Sequence, residues 1–186
     1  GIEAPLVTAT CLGESVGTPV DPAPGDAVHV IGEVGGEAIW LKELSLGVAG
    51  NEWKDFTPLL IMLRLQEIDS VTLMHDISEG GVKRALLEVS EALGVRLDVA
   101  TYDVHLAEGV LSLDEDPLRL PTYGAMVALA HSGAGEAIEE VCLELNIPCS
   151  RVGVVEAGEG LVVDGKAVRH LDRVDLDRLY GSFKHP

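Results

Sequence analysis

Short apolar segments, some alternating and some at helical spacing, follow one another along almost the whole chain. PLVTATCLG alternates weakly and reads as a leading strand. The loop GTPVDPAPGD after it carries three prolines, which exclude a helix there. AVHVIGEVG, residues 27–35, predicts a second strand that ends in small residues. A helical run around EAIWLKELSLG follows and stops at Gly47 and Gly50. A further helix is expected from Asp55 or Thr57, with Pro58 in its first turn, where a missing N–H costs nothing. PLLIMLRLQEI is apolar nearly all round, so this helix is expected to be well buried.

VTLMH is a short strand that leads into the stretch MHDISEGG. From Ser78 onward Val82, Ala85, Leu86, Val89 and Leu93 form one stripe, with Lys83, Arg84, Glu88 and Glu91 off it. That is the pattern of an amphipathic helix, ended by Gly94. VRLDVA is the next strand, and DPLRLP forms a short helix in the less regular stretch 103–123. YGAMVALAH is a strand, after which Ser132 is expected to cap a helix with Ile138, Val141, Cys142 and Leu145 on its inner face. SRVGVVEA and GLVVDGKAV predict strands turning at Asp164-Gly165, and DLDRLYGSF a last short helix. Strands alternate with helices but also follow one another directly. The fold class is therefore α+β, a layered domain with a mixed sheet and packed helices.

At 186 residues with 47% apolar side chains, the chain suits one domain, 1–186, with residues 1–25 as its leading strand and Pro-rich loop. No run is long enough to cross a bilayer, and no signal peptide is visible. A formal charge of −18 with scattered basic residues argues against nucleic acid or an anionic membrane as partner. Arg169, His170, Arg173 and Arg178 are interleaved with aspartates and read as solvated surface. Side-chain amides occur only at Asn51, Gln66 and Asn146, a scarcity that points to a thermophile. Cys11, Cys142 and Cys149 form no CxxC and no zinc pattern, and fit small core residues in a reducing cytoplasm. The first residue is Gly1 rather than Met, which suggests a processed chain or a fragment.

Gly80 and Gly81 pose the sharpest question, because each costs roughly 1 kcal/mol of helix propensity against alanine. A helix start carries unpaired N–H groups and partial positive charge, and side-chain-free residues let an anion approach them. Asp76 or Ser78 is expected to cap the helix, and His75 and Asp76 stand at a strand end where ligands bind. On helix propensity alone, Gly80→Val should hardly harm folding. The plainer reading is close packing of the helix on its neighbours. The pattern is neither a P-loop nor a dinucleotide fingerprint. Gly32, Gly35 and Gly36 form a second such turn, for which packing and ligand contact weigh equally. His29 and His131 read as structural, as does Glu88.

HDISEGG followed by ALLEVSEALGVRLDV resembles the His-Asp-x-Thr-x-Gly-Gly segment of the aminoimidazole ribonucleotide (AIR) synthetase superfamily. That superfamily includes formylglycinamidine ribonucleotide synthetase, the hydrogenase maturation factor HypE, selenophosphate synthetase and thiamine monophosphate kinase. PAPGDAVHVIGEVGGEAIWL, DPLRLPTYGAMVALA and IPCSRVGVVEAGEGLVVDG are similar to further motifs of its C-terminal domain. The resemblance implies a mixed-sheet domain, partly ferredoxin-like, that shares a cleft with an ATP-binding N-terminal domain missing from this sequence. It implies that His75, Asp76, Ser78, Gly80, Gly81 and Tyr123 hold substrate or ATP phosphates. ATP and magnesium would be bound mainly by the other domain, with none expected on this chain alone. The implied reaction activates an amide or carboxamide-type oxygen with ATP, in a cytoplasmic, homodimeric protein acting on a small-molecule substrate. This chain by itself would be inactive. Ser78 stands for the family's Thr, and Tyr123 for a small residue. The chain ends SFKHP without the cysteine that hydrogenase maturation factors carry, which leaves a HypE-like protein lacking it as one alternative. A free-standing module that binds an anionic metabolite is the other.

Overall fold

The computed structural model describes residues 21–181, together with Thr10 and Leu12. Most of the expected leading strand, Cys11 and the last five residues lie outside the described residues. Seven strands form one mixed sheet: β1 (Ala27–Ile31), β2 (Val71–Asp76), β3 (Arg96–Val99), β4 (Met126–Ala130), β5 (Cys149–Glu156), β6 (Gly160–Val163) and β7 (Lys166–Val168). Their order across the sheet is β2-β4-β1-β5-β3-β6-β7, antiparallel throughout except for the parallel pair β3 and β6. The helices are α1 (Gly36–Ser45), α2 (Leu59–Leu65), α3 (Gly81–Leu93), α4 (Gly135–Glu144) and α5 (Leu176–Tyr180). The α+β reading therefore holds. No helix among the described residues is long and apolar enough to cross a membrane.

Every residue of β1 and β4 is buried, so both strands read as continuous apolar runs rather than alternating ones. Their alternation survives in which face each residue meets. Val28, Val30, Val127 and Leu129 point to a core closed by Val82, Leu86 and Val89 of α3. Ile31, Met126, Ala128 and Ala130 point to the opposite core, closed by Ile61 and Leu65 of α2 and Ile138 and Cys142 of α4. A third cluster joins Ala38 of α1 to Leu179 and Tyr180 of α5. The α3 stripe is thus the one predicted. The Asp164-Gly165 turn joins β6 to β7 with both residues at positive φ, as a primed hairpin turn needs.

Three local expectations are corrected. The α2 helix is not well buried: Leu59, Leu60 and Leu63 are 60%, 57% and 47% exposed. It is short and covers the half of the sheet next to the edge strand β2, so a single stripe suffices. Ser132 does not cap α4. The chain first makes a turn in which the Ala134 N–H donates to the His131 carbonyl, and the helix starts at Gly135. Neither Asp76 nor Ser78 caps α3 with its side chain; Gly80, at φ 90, precedes the helix in a left-handed conformation.

That conformation explains the paired glycines in part. Gly81 also has positive φ, 65, and is buried against the 3₁₀ turn Pro117–Arg119. A Cβ on Gly81 would lie 2.6 Å from the Leu118 carbonyl oxygen and 2.7 Å from that of Leu120. A Cβ on Gly80 would meet the Arg84 side chain, 2.8 Å from its Cβ. Helix propensity is therefore the wrong scale for Gly80: its backbone conformation, which valine resists, sets the cost.

His29 is fully buried in β1, and neither of its ring nitrogens has a hydrogen-bond partner. Burial, helped by the Arg151 charge on the paired strand, lowers its pKa from 6.5 to about 4. The folded chain thus binds this proton less readily than the unfolded chain does. Its contribution to stability is complete above pH 6.5 and is lost as pH falls toward about 4. The loss expected over that window is about 3 kcal/mol. Denaturant melts across it should show this slope in the parent and a flatter one in His29→Leu; parallel slopes would mean that other groups carry it. For the glycines, Gly81→Ala should cost at least about 2 kcal/mol and Gly80→Ala about 1 kcal/mol. Equal melting points for the two variants would refute the backbone contact at Gly81.

Candidate functional site

The strand register brings the two glycine turns together. Ile31 of β1 and Asp76 of β2 both pair with Met126 of β4, one from each side, so β1 and β2 end at the same edge of the sheet. Beyond the strands the chain stays tied to the start of β4. The Ile77 N–H donates to the Ala125 carbonyl at 3.0 Å, and a Cβ on Gly32 would fall 2.9 Å from Ala125. Turn 32–36 and turn 77–81 therefore flank residues 122–125. Thr122 accepts the Gly35 N–H at 3.1 Å and donates to the Leu120 carbonyl. The Tyr123 N–H donates to Glu37 at the start of α1, at 2.8 Å. A Cβ on Gly35 would clash with Val110, so packing accounts for this glycine.

Beside the 77–81 turn lies a groove of about 740 Å³. One wall is Ser78, Glu79 and Gly80; Arg84 and Glu88 of α3 form the floor with Arg119 and Pro121. The segment Leu171–Asp177 makes the far wall and carries Arg173. Arg84 donates to the Leu171 carbonyl and Arg119 to the Asp172 carbonyl, each at 2.7 Å. Both guanidinium groups thus strap this wall to the body of the domain. Arg84 and Arg119 bring two guanidinium groups to a groove that Glu79, Glu88, Asp172, Asp175 and Asp177 also line, and Arg119 is paired with Glu115 at 3.4 Å as well. Ser78 is exposed and Gly80 half-buried, so the bend opens its backbone toward the cavity.

The sequence-derived residues divide around this groove. Ser78 and Gly80 line it. His75 reaches it indirectly, its Nε2 lying 3.3 Å from Oε2 of Glu88, a lining residue. Gly81 is buried behind the wall, with its N–H donated to the Ser78 carbonyl at 3.1 Å. Asp76 and Tyr123 are exposed at the strand edge but outside this cavity. The arginines were missed. Arg84 read as an off-stripe helix position and Arg173 as solvated surface. The available signal was spacing: Arg84 lies one helical turn after Gly80, on the same side. Among the described residues no group of three His, Cys, Asp or Glu is placed to hold a metal ion.

Comparison with known proteins bears on the family and the fold. The chain is 25% identical over 174 residues to phosphoribosylformylglycinamidine synthase subunit PurL of Bradyrhizobium diazoefficiens, covering 87% of this chain and 22% of that protein. It is 31% identical over 111 residues to the same subunit of a Thermoanaerobacter species, covering 58% of this chain and 14% of that one. Among solved structures, hydrogenase maturation protein HypE in complex with ATP superposes with a TM-score of 0.67 at 21% identity, over 85% of this chain and 55% of that one. Thiamine-monophosphate kinase from Stenotrophomonas maltophilia K279a superposes with a TM-score of 0.65 at 20% identity, over 80% and 52%. At such identities the structures speak for the fold. The chain spans 22% or less of these PurL proteins and about half of these solved chains. Residues 23–166 match the family described as AIR synthase related protein, C-terminal domain, and the chain belongs to that family.

Proposed function

We propose that this chain is the cleft-forming C-terminal domain of an ATP-dependent, AIR synthetase-like enzyme, and that its groove receives the phosphate-bearing part of the substrate or of ATP. One observation carries the proposal: Ser78 and Gly80 of the family motif open onto a groove that also holds Arg84, Arg119 and Arg173. Backbone N–H groups at a bend and guanidinium groups are two kinds of donor that recognise phosphate oxygens. Glu88, hydrogen-bonded to His75, fixes the imidazole at the rim, where it can donate to a ligand oxygen. Asp76 and Tyr123, at the exposed end of the sheet, would face the second domain.

The reaction proposed is activation of an amide or carboxamide-type oxygen by the γ-phosphate of ATP. The similarity to a HypE solved with ATP and to a thiamine-monophosphate kinase supports a nucleotide-dependent reaction. Magnesium belongs in this proposal to an N-terminal ATP-binding domain of the same protein, as the family resemblance implies. The cleft between the two domains, in a cytoplasmic homodimer, would then be the complete site. Phosphoryl transfer needs the metal and the phosphate-cradling groups in one place, so the present chain alone supplies only part of the chemistry.

Two measurements test this. The isolated chain should hydrolyse no ATP and bind it no more tightly than about 10 μM, near −7 kcal/mol, by calorimetry. Turnover or tighter binding would overturn the divided site. In the protein carrying both domains, Ser78→Asp places a carboxylate in the groove at an exposed position and should leave the melting point unchanged. Binding of a phosphate-bearing substrate or Mg-ATP should weaken at least tenfold, about 1.4 kcal/mol. Unchanged affinity for both would remove the groove from the phosphate site.

A further inference from the structure

The far wall of the groove is held differently from the rest of the domain. Residues 170–174 lie between the end of β7 and the start of α5, in neither helix nor strand. Among the described residues, no main-chain N–H or carbonyl of this segment bonds to another main-chain group. Two side chains supply its hydrogen bonds instead. Arg84 Nη2 donates to the Leu171 carbonyl and Arg119 Nη2 to the Asp172 carbonyl, each at 2.7 Å. Its apolar ties are the half-buried Leu171 and Val174. Both ends are anchored independently: β7 pairs with β6, and Leu179 and Tyr180 are buried with Ala38 of α1, where Lys42 donates to the Leu179 carbonyl at 3.1 Å. The Arg84 side chain also lies against the glycine bend, since a Cβ on Gly80 would stand 3.6 Å from its Nε. We propose that residues 170–174 form a latch whose carbonyls hold Arg84 and Arg119 until the phosphate of an entering ligand takes their place.

The latch presupposes that the groove takes phosphate, as proposed above. A carbonyl offers a guanidinium one neutral acceptor, whereas a phosphate offers opposite charge and two parallel N–H···O bonds. Exchange therefore favours the ligand. Glu79, Glu88 and Asp175 also line the groove, so a phosphate gains from direct contact with the guanidinium groups rather than from the potential of the whole cavity. Arg119 keeps its Nη1 contact with Glu115, at 3.4 Å, and exchanges only its Nη2 bond. Once both bonds are exchanged, the apolar contacts of Leu171 and Val174 alone hold the segment, and it opens locally. Filling the groove thus loosens its far wall, and the observed affinity is reduced by the work of lifting the latch.

Nuclear magnetic resonance on the whole chain, labelled with nitrogen-15, reads both halves of the exchange. Inorganic pyrophosphate is added up to about 10 mM, against sodium chloride of the same ionic strength. The Nε–H signals of Arg84 and Arg119 should shift with pyrophosphate and not with chloride. In the same titration the backbone order parameters of Arg173 and Val174 should fall from about 0.85 to below about 0.6. Arg84→Gln should weaken pyrophosphate binding at least tenfold and loosen the segment with no ligand added. Arginine signals that shift while residues 172–174 stay ordered, or become more ordered, sink the latch and leave the phosphate site standing. Arginine signals that do not move remove the phosphate site and the latch together. Both readings come from the parent chain, so they stand even where Arg84→Gln folds poorly.

Discussion

The pairing of β1 with β4 and of β4 with β2 is the constraint from which the site follows. All ten residues of β1 and β4 are buried, and their side chains feed cores on both faces. A slip of one residue would exchange the two faces of β4, turning Val127 and Leu129 toward α2 and α4 and Met126, Ala128 and Ala130 toward α3. The register is therefore held by two cores at once. It also puts Ile31 and Asp76 on either side of Met126, which decides that the two glycine turns share one edge.

Close backbone approach is the means by which that edge is built. Gly32 lies against Ala125, Gly124 against Phe56, and Gly81 against the Leu118 and Leu120 carbonyls. Each contact needs a residue without Cβ, and at each of these glycines φ is positive as well. The question whether such glycines serve packing or ligand therefore has a divided answer here. Gly81 packs, Gly80 shapes the bend, and the bend leaves Ser78 and Gly80 on the groove. Arg84 and Arg119 then tie the 171–172 backbone across the opening and close its far side.

The one strongly buried titratable group in β1 bears on the same architecture. His29 faces the α2–α4 core, and its ring approaches the start of α4, where a Cβ on Gly135 would lie 3.9 Å from Nε2. Nearby, buried Asp26 is hydrogen-bonded to His131 at 2.9 Å, between the turn before β1 and the segment that follows β4. The reading of both histidines as structural residues came from the lack of any ligand-spaced partner. The fold adds that one is an unpaired polar group in the core and the other a hydrogen-bond partner of a buried carboxylate.

Periodicity was enough for most elements because period and burial agree locally. The stripe Val82, Ala85, Leu86, Val89 could be only a helix face, and Asp164-Gly165 only a hairpin turn. The motif HDISEGG likewise marked the 75–81 turn as the place to look, and its order with three other motifs named the family. Local signals failed where burial depends on distant partners. An apolar helix such as α2 looks the same whether one stripe or all of it is covered, and an off-stripe arginine looks the same in water or against a carbonyl 87 residues away. Capping failed because Gly80 and Gly133 take positive φ, which redirects the chain before the expected cap can bond. What the sequence determined by itself was the kind of each element and the family, since both rest on near-neighbour chemistry. Which residues share the groove and which glycines pack were decided only in the tertiary structure, because strand register and long-range contacts set those distances.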